Sequence, residues 1–293
     1  MDDTANTFKD KWQHNKRLAF EVTLREGSDI FSWILERNGF RNTREMIEYL
    51  KDKRRVLDAG CGNGRVTALL RRYCPETTEI VGIDLVSPEI ARENLEAFGF
   101  AHHVTLFQKD LLEDLEDLGK FDFIYCQEVL HHISHPEEAL RNLASLLSIG
   151  GEIAIYVYRR KAPVREFVDD YLREKISALK YEEAIRACGQ ITELGRALSE
   201  QKVTIRVPEV TLLEIKEGEY DLQRFVYHFF MKCFWNPDLR FEDNASINYD
   251  WYHPQVATRH TEEEVRGWFG RSKLKIIHEN VDFYGITVRG KAA

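Results

Sequence analysis

VLDAGCGNG, residues 56–64, is the stretch that decides the fold of this chain. It ends a short apolar run, and the helical pattern GRVTALLRRYC follows it directly. Glycines at every second position behind an aspartate are typical of a turn whose backbone a ligand approaches closely. The stretch therefore predicts a strand, a ligand-binding turn and a helix in succession.

Further apolar runs alternate with helical patterns after this turn. The runs are EIVGIDL, HVTLFQKD, FDFIYC and GEIAIYVY, and two more, LKIIHENVDF and YGITVRG, close the chain. Strands that alternate with helices of this length predict a parallel sheet with helices on both faces. Runs that are apolar throughout agree with strands buried on both sides. The predicted fold class is α/β, with a Rossmann-like, mostly parallel sheet.

Four regions follow from where this alternation starts, stops and resumes. Residues 1–50 have helical patterns rich in aromatic side chains and are predicted to form an N-terminal helical cap. Residues 51–158 form the ligand-binding core, and residues 259–293 complete its sheet. Residues 159–258 break the alternation with a charged helical stretch and a densely aromatic one. We expect this insertion after the fifth strand to act as a lid that binds a substrate.

Capping signals predict where two of the helices begin. Ser28 or Asp29 precedes the pattern IFSWILERNGF, in which Gly39 supplies a left-handed stop. Thr261 and Glu264 stand at the spacing of a capping box ahead of the last helix.

The composition favours a globular protein of a reducing compartment. The net charge is −8, 43% of the residues are hydrophobic, and Lys and Arg are spread along the chain. A nucleic-acid binder is expected to have a basic face, so a nucleic-acid partner is not favoured. Five scattered cysteines without CxxC pairs predict free thiols. No apolar run approaches the roughly 18 residues of a membrane span, and we expect a cytoplasmic protein.

The residues around the glycines distinguish two classes of ligand. A dinucleotide turn has the pattern G-x-G-x-x-G, but Arg65 stands in the place of its third glycine, which allows close packing of helix on strand. Asp58, two residues before the first glycine, would repel a pyrophosphate and attract an ammonium group. A nucleoside with an amino-acid tail and a sulfonium charge therefore suits this turn better than a pyrophosphate does.

Acidic residues also end the next two strands. Asp84 lies about twenty residues past the turn, where a carboxylate can accept hydrogen bonds from ribose hydroxyls. Asp110 is placed to accept from the exocyclic amine of adenine, with Leu111 against the ring. Leu85, beside Asp84, is included in the predicted site. Each acid alone would be read as a helix cap or a loop residue, whereas three acids at three successive strand ends indicate one site.

These motifs, together with FDFIYCQEVLHHISHPEEALRNLASLLSIGGEIAI, resemble the class I S-adenosylmethionine-dependent methyltransferases. The resemblance covers residues 54–158 and 260–290 and is closest to the group with small-molecule and lipid-like acceptors. It implies a seven-stranded sheet whose last strand is antiparallel, with S-adenosyl-L-methionine as the cofactor. It implies cofactor contacts at Asp58, Gly60, Gly62, Asp84 and Asp110, and it places Gln127 at the position that lines the methionine end. Cys61, inside the turn, completes the predicted cofactor site.

The candidates for catalysis are four side chains in two segments. His131 and His132, in CQEVLHHISHPEE, follow the fourth strand and are either packing residues or a general base. Tyr252 and His253, in NYDWYHP, are either a hydrogen-bonded corner or a pair that deprotonates a hydroxyl. The histidine spacing is not that of a usual ligand set, and no metal is predicted.

The function that these features predict is methyl transfer from S-adenosylmethionine, by in-line displacement, to a small, partly apolar acceptor. Oxygen or carbon is favoured as the methylated atom, because CQEV follows the fourth strand where many nitrogen methyltransferases have an Asn/Asp-Pro-Pro-Tyr/Phe motif. An NAD(P)-dependent oxidoreductase and a cofactor-binding interaction protein without turnover are the alternatives. A homodimer through the aromatic insertion stays open.

Overall fold

The computed structural model describes residues 3–293, and the chain divides into two compact units. The sheet unit consists of Trp12–Arg159 and Thr258–Ala293. The insertion unit consists of Arg160–Ala257 and the described residues up to Lys11. The region predicted as an N-terminal cap is thus divided between the two units. Within residues 3–293, no helix is both long enough and apolar enough to cross a lipid bilayer.

Twelve α-helices and nine strands make up the described part of the chain. The helices are α1 Asp3–His14, α2 Phe20–Leu24, α3 Asp29–Arg37, α4 Thr43–Leu50, α5 Arg65–Tyr73, α6 Glu89–Ala97, α7 Pro136–Ser145, α8 Pro163–Ile176, α9 Tyr181–Glu200, α10 Leu222–Phe229, α11 Phe241–Tyr252 and α12 Glu262–Arg271. The strands are β1 Arg55–Ala59, β2 Glu79–Asp84, β3 Val104–Gln108, β4 Phe121–Cys126, β5 Leu147–Tyr158, β6 Thr204–Val207, β7 Gly218–Asp221, β8 Leu274–Val281 and β9 Gly285–Ala292.

Seven of the strands form the sheet of the sheet unit, in the order β3-β2-β1-β4-β5-β9-β8. Strands β1 to β5 pair in parallel, and β9 runs antiparallel to both of its neighbours. The predicted seven-stranded, mostly parallel Rossmann-like sheet with an antiparallel last strand is therefore confirmed. The strand order reverses between β1 and β4, which opens a crevice at their carboxyl ends.

Alternate residues of the central strands enter two separate hydrophobic cores. Val56 and Ile80 belong to a core with helices α2 to α6, whereas Leu57 and Val81 belong to a core with α7 and α12. Helices therefore cover both faces of the sheet, which is why its strands read as unbroken apolar runs.

The predicted caps are present at both helices. The Ser28 hydroxyl accepts a hydrogen bond from the Phe31 amide at the start of α3, and Gly39 after its end has φ +79°. Thr261 and Glu264 form a complete capping box at the start of α12. These side chains satisfy backbone amides that have no partner inside the helix.

The insertion unit contains α8 to α11 and an antiparallel pair, β6 and β7. Its interior is organised by the carboxylate of Asp169 on α8, which is 1% exposed. That carboxylate forms an ion pair with Arg165 and accepts hydrogen bonds from the Trp251 indole, the Tyr252 hydroxyl and the Lys232 amide. A buried charge is tolerated when it is paired and fully hydrogen-bonded in this way.

We predict that Asp169→Ala lowers the free energy of unfolding by about 3–5 kcal/mol, because it leaves the Arg165 guanidinium buried without its counter-ion. Urea unfolding followed by circular dichroism measures this change. Glu174→Ala is the matched control on the same helix, since Glu174 pairs with Lys175 in solvent, and its effect is expected to stay below about 1 kcal/mol. Equal losses in the two variants would contradict the buried network.

Candidate functional site

The crevice at the carboxyl ends of β1 and β4 is bordered by the glycine turn that follows β1. Gly60 and Gly62 have φ values of +85° and +54°, in the left-handed region of backbone conformation that residues with a side chain rarely adopt. A Cβ at Gly60 would collide with the side chain of Val129, and one at Gly62 would lie 2.6 Å from the Trp12 ring. Both glycines are therefore required by backbone conformation and by the side chains that cover the turn.

Asp84 at the end of β2 is bonded directly to this turn. One carboxylate oxygen accepts from the Gly62 amide at 2.8 Å, and the other accepts from the Val86 amide at 3.0 Å. The amides of Gly60 and Cys61 both donate to the carbonyl of Ile83. The ends of β1 and β2 are thus joined into one edge of the crevice.

Asp58 is a carboxyl group buried at the end of β1, with 1% of its surface exposed. Burial raises its pKa to about 7, the hydrogen bond from the Thr67 hydroxyl at 2.6 Å opposes the rise, and the charge of Asp84 adds to it. Arg65 also opposes the rise, through its charge. This carboxyl is therefore costly to ionise until a cation reaches it.

Cys61 contributes to the site through its backbone. Its side chain is buried against Gly82, where a Cβ on the glycine would lie 3.3 Å from the Cβ of Cys61. Burial raises the pKa of the thiol well above its ordinary value, and the charges of Asp84 and Asp58 raise it further. The thiol is thus a packing group between β1 and β2.

Gln127, directly after β4, has a fixed side-chain amide. Its Oε1 accepts a hydrogen bond from the Tyr125 hydroxyl at 2.8 Å, and that hydroxyl accepts from the amide of Asn38 at 3.2 Å. The other end of the amide, Nε2, is buried and has no hydrogen-bond partner among residues 3–293. A buried donor without an acceptor is what a binding site for a polar ligand leaves when no ligand is present.

Asp110 and Leu111 follow β3, and Leu85 follows β2, the neighbouring strand. Asp110 accepts from the Leu112 amide, which closes the turn after β3. Leu111 is buried in the core with α7 and α12, and Leu85 accepts from the Gln108 side chain through its carbonyl. A hydrogen bond joins Asp84 to Gly62, and the charge of Asp84 acts on Asp58, whereas Asp110 belongs to the neighbouring strand end.

His131 and His132 lie on a short 3-10 turn, Leu130–His132, beyond the end of β4. The ring of His131 stacks on Tyr158 with centroids 3.5 Å apart, and it meets the edge of His132 at 4.4 Å. The carbonyl of His131 accepts from the Thr258 amide. The two imidazoles are thus part of an aromatic cluster that packs this turn on β5.

Tyr252 and His253 lie in the insertion unit. The Tyr252 hydroxyl is 2.7 Å from Asp169 and 2.8 Å from the Lys232 carbonyl, and burial raises its pKa well above the ordinary value. The His253 ring lies between the Thr7 hydroxyl at 3.0 Å and the Leu179 carbonyl at 3.1 Å, and burial lowers its pKa. The polar atoms of both side chains are thus hydrogen-bonded inside the unit.

Two features of the site carry no clear sequence signal. The first is Arg65, which stands in the place of the third glycine of a dinucleotide turn. Its guanidinium donates to Glu128 at 2.8 Å and to the Thr23 hydroxyl. Glu128 has φ +59°, so the loop after β4 holds a non-glycine residue in the left-handed region. This pair ties the start of α5 to that loop.

The N-terminal segment is the second such feature. The Asn63 side chain donates to the carbonyls of Lys16 and Leu18, and the Asn94 side chain donates to those of Lys16 and Asn63. These bonds hold the segment against the glycine turn. In the described part of the chain, no group of three or more His, Cys, Asp or Glu residues is placed to hold a metal ion.

Comparison with known proteins identifies relatives of this architecture. An uncharacterized protein of Synechococcus sp. is 36% identical over 132 residues, which are 44% of this chain and 30% of that protein. A ubiquinone biosynthesis O-methyltransferase of Xanthomonas axonopodis pv. citri is 32% identical over 108 residues, which are 36% of this chain and 44% of that protein. The chain thus spans less than half the length of these curated relatives.

A solved structure shares the fold at low sequence identity. PKMT2 from Rickettsia typhi superposes with a TM-score of 0.55 at 15% identity, over 85% of this chain and 52% of that one. Magnesium protoporphyrin IX methyltransferase (ChlM) from Synechocystis PCC 6803, with bound SAM, gives a TM-score of 0.48 at 14% identity, over 100% and 98%.

A family model identifies the family to which the chain belongs. The model described as a methyltransferase domain matches residues 30–195, more than half of the sequence. The match contains the glycine turn, Asp84, Asp110 and the segment after β4, so the resemblance drawn from those motifs is confirmed. This chain belongs to the methyltransferase domain family.

Proposed function

We propose that this protein transfers a methyl group from S-adenosylmethionine to a small, partly apolar acceptor. The observation that carries the proposal is the carboxyl of Asp58, buried beneath the glycine turn with a pKa raised to about 7. A buried acid of this kind favours a ligand that brings a cation, and a pyrophosphate brings the opposite charge. This preference supports S-adenosylmethionine over NAD(P).

Each part of the cofactor has a chemically suitable residue in the sheet unit. Asp58 would hold the ammonium group, directly or through water, and Asp84 would accept from the ribose hydroxyls. Asp110 would accept from the adenine amine. The buried Nε2 of Gln127 supplies a donor for the amino-acid end of the cofactor. Charge-assisted hydrogen bonds to buried partners are the stronger class of such contacts.

The chain's own residues serve to bind and orient in this reaction. When bound, the cofactor supplies a methyl group on a sulfonium, which is reactive toward a nucleophile in line with the bond that breaks. The protein must hold the nucleophile at near-attack distance and exclude water. A base is needed only for an acceptor that loses a proton.

We propose that, for an acceptor that loses a proton, an imidazole of the aromatic cluster after β4, His131 or His132, receives it in addition to its packing role. Tyr252 and His253 receive structural roles, because their polar atoms are used inside the insertion unit. A tyrosine whose pKa is raised by burial is a poor base at neutral pH, since its phenolate is the disfavoured form.

The acceptor is proposed to bind the insertion, residues 159–258. Residues 1–50 are proposed to form a cap. Residues 51–158 and 259–293 are proposed to form the core that binds the cofactor. Oxygen is the favoured atom, because several relatives are O-methyltransferases. We further propose that the protein acts in the cytoplasm on a small molecule, with no nucleic-acid partner, and that a homodimer would use the aromatic insertion.

Incubation with isotope-labelled S-adenosylmethionine and a cell extract, followed by mass spectrometry of labelled products, tests the proposal. A labelled small molecule is expected. Binding of S-adenosylmethionine without any labelled product would favour an interaction protein that uses no turnover. Tight binding of NAD(P)H and none of S-adenosylmethionine would favour an oxidoreductase.

We predict that Asp84→Ala weakens binding of S-adenosylhomocysteine by about 10- to 100-fold, because a ribose diol would lose its charged acceptor. Isothermal titration calorimetry measures the change. Asp84→Asn keeps an acceptor for the Gly62 amide and separates loss of the ribose contact from loss of the turn.

An analogue without the two ribose hydroxyls is the matched ligand control. The wild-type protein is expected to bind the analogue as weakly as Asp84→Ala binds the natural ligand. The affinity of Asp84→Ala for the analogue should be only slightly lower than its affinity for the natural ligand. Additive losses from the analogue and the substitution would show that Asp84 does not contact the ribose.

We predict that the affinity for S-adenosylhomocysteine falls about tenfold per pH unit below the pKa of Asp58 near 7, because ammonium binding then requires loss of a proton. Above that pH the affinity is expected to level off. The stability of the free protein depends on pH in the opposite direction to the affinity. Because the pKa of Asp58 in the folded state lies above the ordinary value of 3.8, the free protein loses stability as pH rises from about 4 to about 7.

Asp58→Asn is the matched control, because it has nearly the same shape and no titration. Its binding is expected to be weaker and independent of pH over this range. If the affinity of Asp58→Asn still falls about tenfold per pH unit, a group other than Asp58 causes the pH dependence of binding.

A further inference from the structure

A hydrogen-bond relay of three buried side chains, Asn38, Tyr125 and Gln127, leads from the end of α3 to the end of β4. Asn38, directly after α3, donates from Nδ2 to the Ile34 carbonyl at 2.8 Å and to the Tyr125 hydroxyl at 3.2 Å. The Tyr125 hydroxyl donates in turn to Oε1 of Gln127 at 2.8 Å. The three residues are 2%, 5% and 9% exposed, so water competes weakly for these bonds.

The first residue of the relay fixes which atoms donate and which accept. A backbone carbonyl can only accept, so the atom of Asn38 that faces Ile34 is the amide nitrogen. Oδ1 of Asn38 is buried and has no hydrogen-bond partner among residues 3–293, but turning the amide over would set that oxygen against the Ile34 carbonyl. Because Tyr125 accepts from Asn38, its single hydroxyl proton is directed to Gln127.

The hydroxyl of Tyr125 keeps this proton, which holds the direction of the relay constant. Burial raises its pKa, the hydrogen bond from Asn38 opposes the rise, and the charge of Asp58 adds to it. The hydroxyl is therefore protonated at neutral pH. Oε1 of Gln127 faces Tyr125 in consequence, and the other side of the amide presents only a donor, Nε2.

The relay ends at the crevice between β1 and β4. Tyr125 is the register partner of Asp58 in the parallel pairing of these strands, so the two side chains lie on the same face of the sheet. The loop that carries Gln127 lies against the glycine turn, since a Cβ at Gly60 would collide with the side chain of Val129. Nε2 of Gln127 is buried and has no hydrogen-bond partner among residues 3–293. A buried donor and a buried acid therefore stand at the ends of neighbouring strands.

We propose that Asn38 and Tyr125 are positioning residues, which orient the Gln127 amide so that it binds a carboxylate and rejects an ammonium group. Nε2 donates to the carboxylate of an amino-acid tail whose ammonium group is attracted by Asp58. That this tail belongs to S-adenosylmethionine rests on the proposed function. An amide turned the other way would present an oxygen, which repels a carboxylate. Two residues outside the glycine turn thus determine which end of the tail binds after β4.

Calorimetric titration with S-adenosylhomocysteine and with its decarboxylated analogue, which keeps the amine, tests this role. Tyr125→Phe removes the donor that holds Oε1 of Gln127, and we expect it to weaken binding of S-adenosylhomocysteine about 3- to 10-fold. Binding of the decarboxylated analogue is expected to stay within about twofold of the wild type, because this ligand has no carboxylate. Equal weakening of both ligands would overturn the proposal, since a general loss of structure does not distinguish between them.

Asn38→Asp is the second variant, because it has nearly the same shape and reverses the relay. A carboxylate here accepts the Tyr125 proton, so the Tyr125 oxygen accepts from Nε2 and Gln127 presents Oε1 to the ligand. We expect S-adenosylhomocysteine to bind about 10- to 100-fold more weakly, and the decarboxylated analogue to bind at least as tightly as to the wild type. An unchanged ratio of the two affinities in a folded Asn38→Asp protein would contradict the proposal.

Tyr49→Phe is the matched control for Tyr125→Phe. The Tyr49 hydroxyl donates to Glu152 at 2.7 Å, and its ring meets Phe123, which lies two residues before Tyr125 on β4. This variant loses a hydroxyl beside the same core, so its affinity for both ligands is expected to stay within about twofold of the wild type. A loss of S-adenosylhomocysteine binding equal to that of Tyr125→Phe would count against the relay.

The orientation of the Gln127 amide is also measured by NMR in the free protein, without any cofactor. Nuclear Overhauser contacts from the Nε2 protons to the Tyr125 ring are expected to be weak in the wild type and strong in Asn38→Asp. Strong contacts in both proteins would overturn the positioning role. If these contacts differ as expected but S-adenosylhomocysteine does not bind to the wild type, the proposed function fails and the positioning role of Asn38 and Tyr125 stands.

Discussion

A carboxyl group buried at the end of the central strand is the constraint on which the sheet unit depends. Asp58 lies where the strand order reverses, and water cannot stabilise its charge there. The glycine turn above it leaves no room for a side chain, and Asp84 fixes that turn through the Gly62 amide. These features support the proposal that a ligand with a cationic group, and not a pyrophosphate, binds at this edge.

The insertion unit is arranged around a second buried carboxylate. Asp169 forms an ion pair with Arg165 and accepts hydrogen bonds from the Trp251 indole, the Tyr252 hydroxyl and the Lys232 amide. The rule that a buried charge needs a partner is therefore met within the unit at Asp169, and the same rule supports a cationic ligand group at Asp58.

Much of the sheet unit could be predicted because its signals are local. Alternating apolar runs, the capping box at Thr261 and the acids at three strand ends each depend on residues close together in sequence. The sequence leaves two roles open for His131 and for Tyr252, because the surroundings of one depend on a ring from β5 and those of the other on Asp169, far away along the chain. The pairing of Arg65 with Glu128 has no local sequence signal, because the two residues lie 63 positions apart.

The sequence by itself determined the parallel sheet, the ligand-binding turn and the family, because strand periodicity and turn chemistry are short-range properties. Only the tertiary structure decided which acids are buried and which donors have no acceptor. Burial and pairing depend on residues brought together from distant segments, as Asp169, Lys232 and Trp251 are. The free energy of a charge depends on those surroundings, so the electrostatics at Asp58 and at Asp169 follow from the fold.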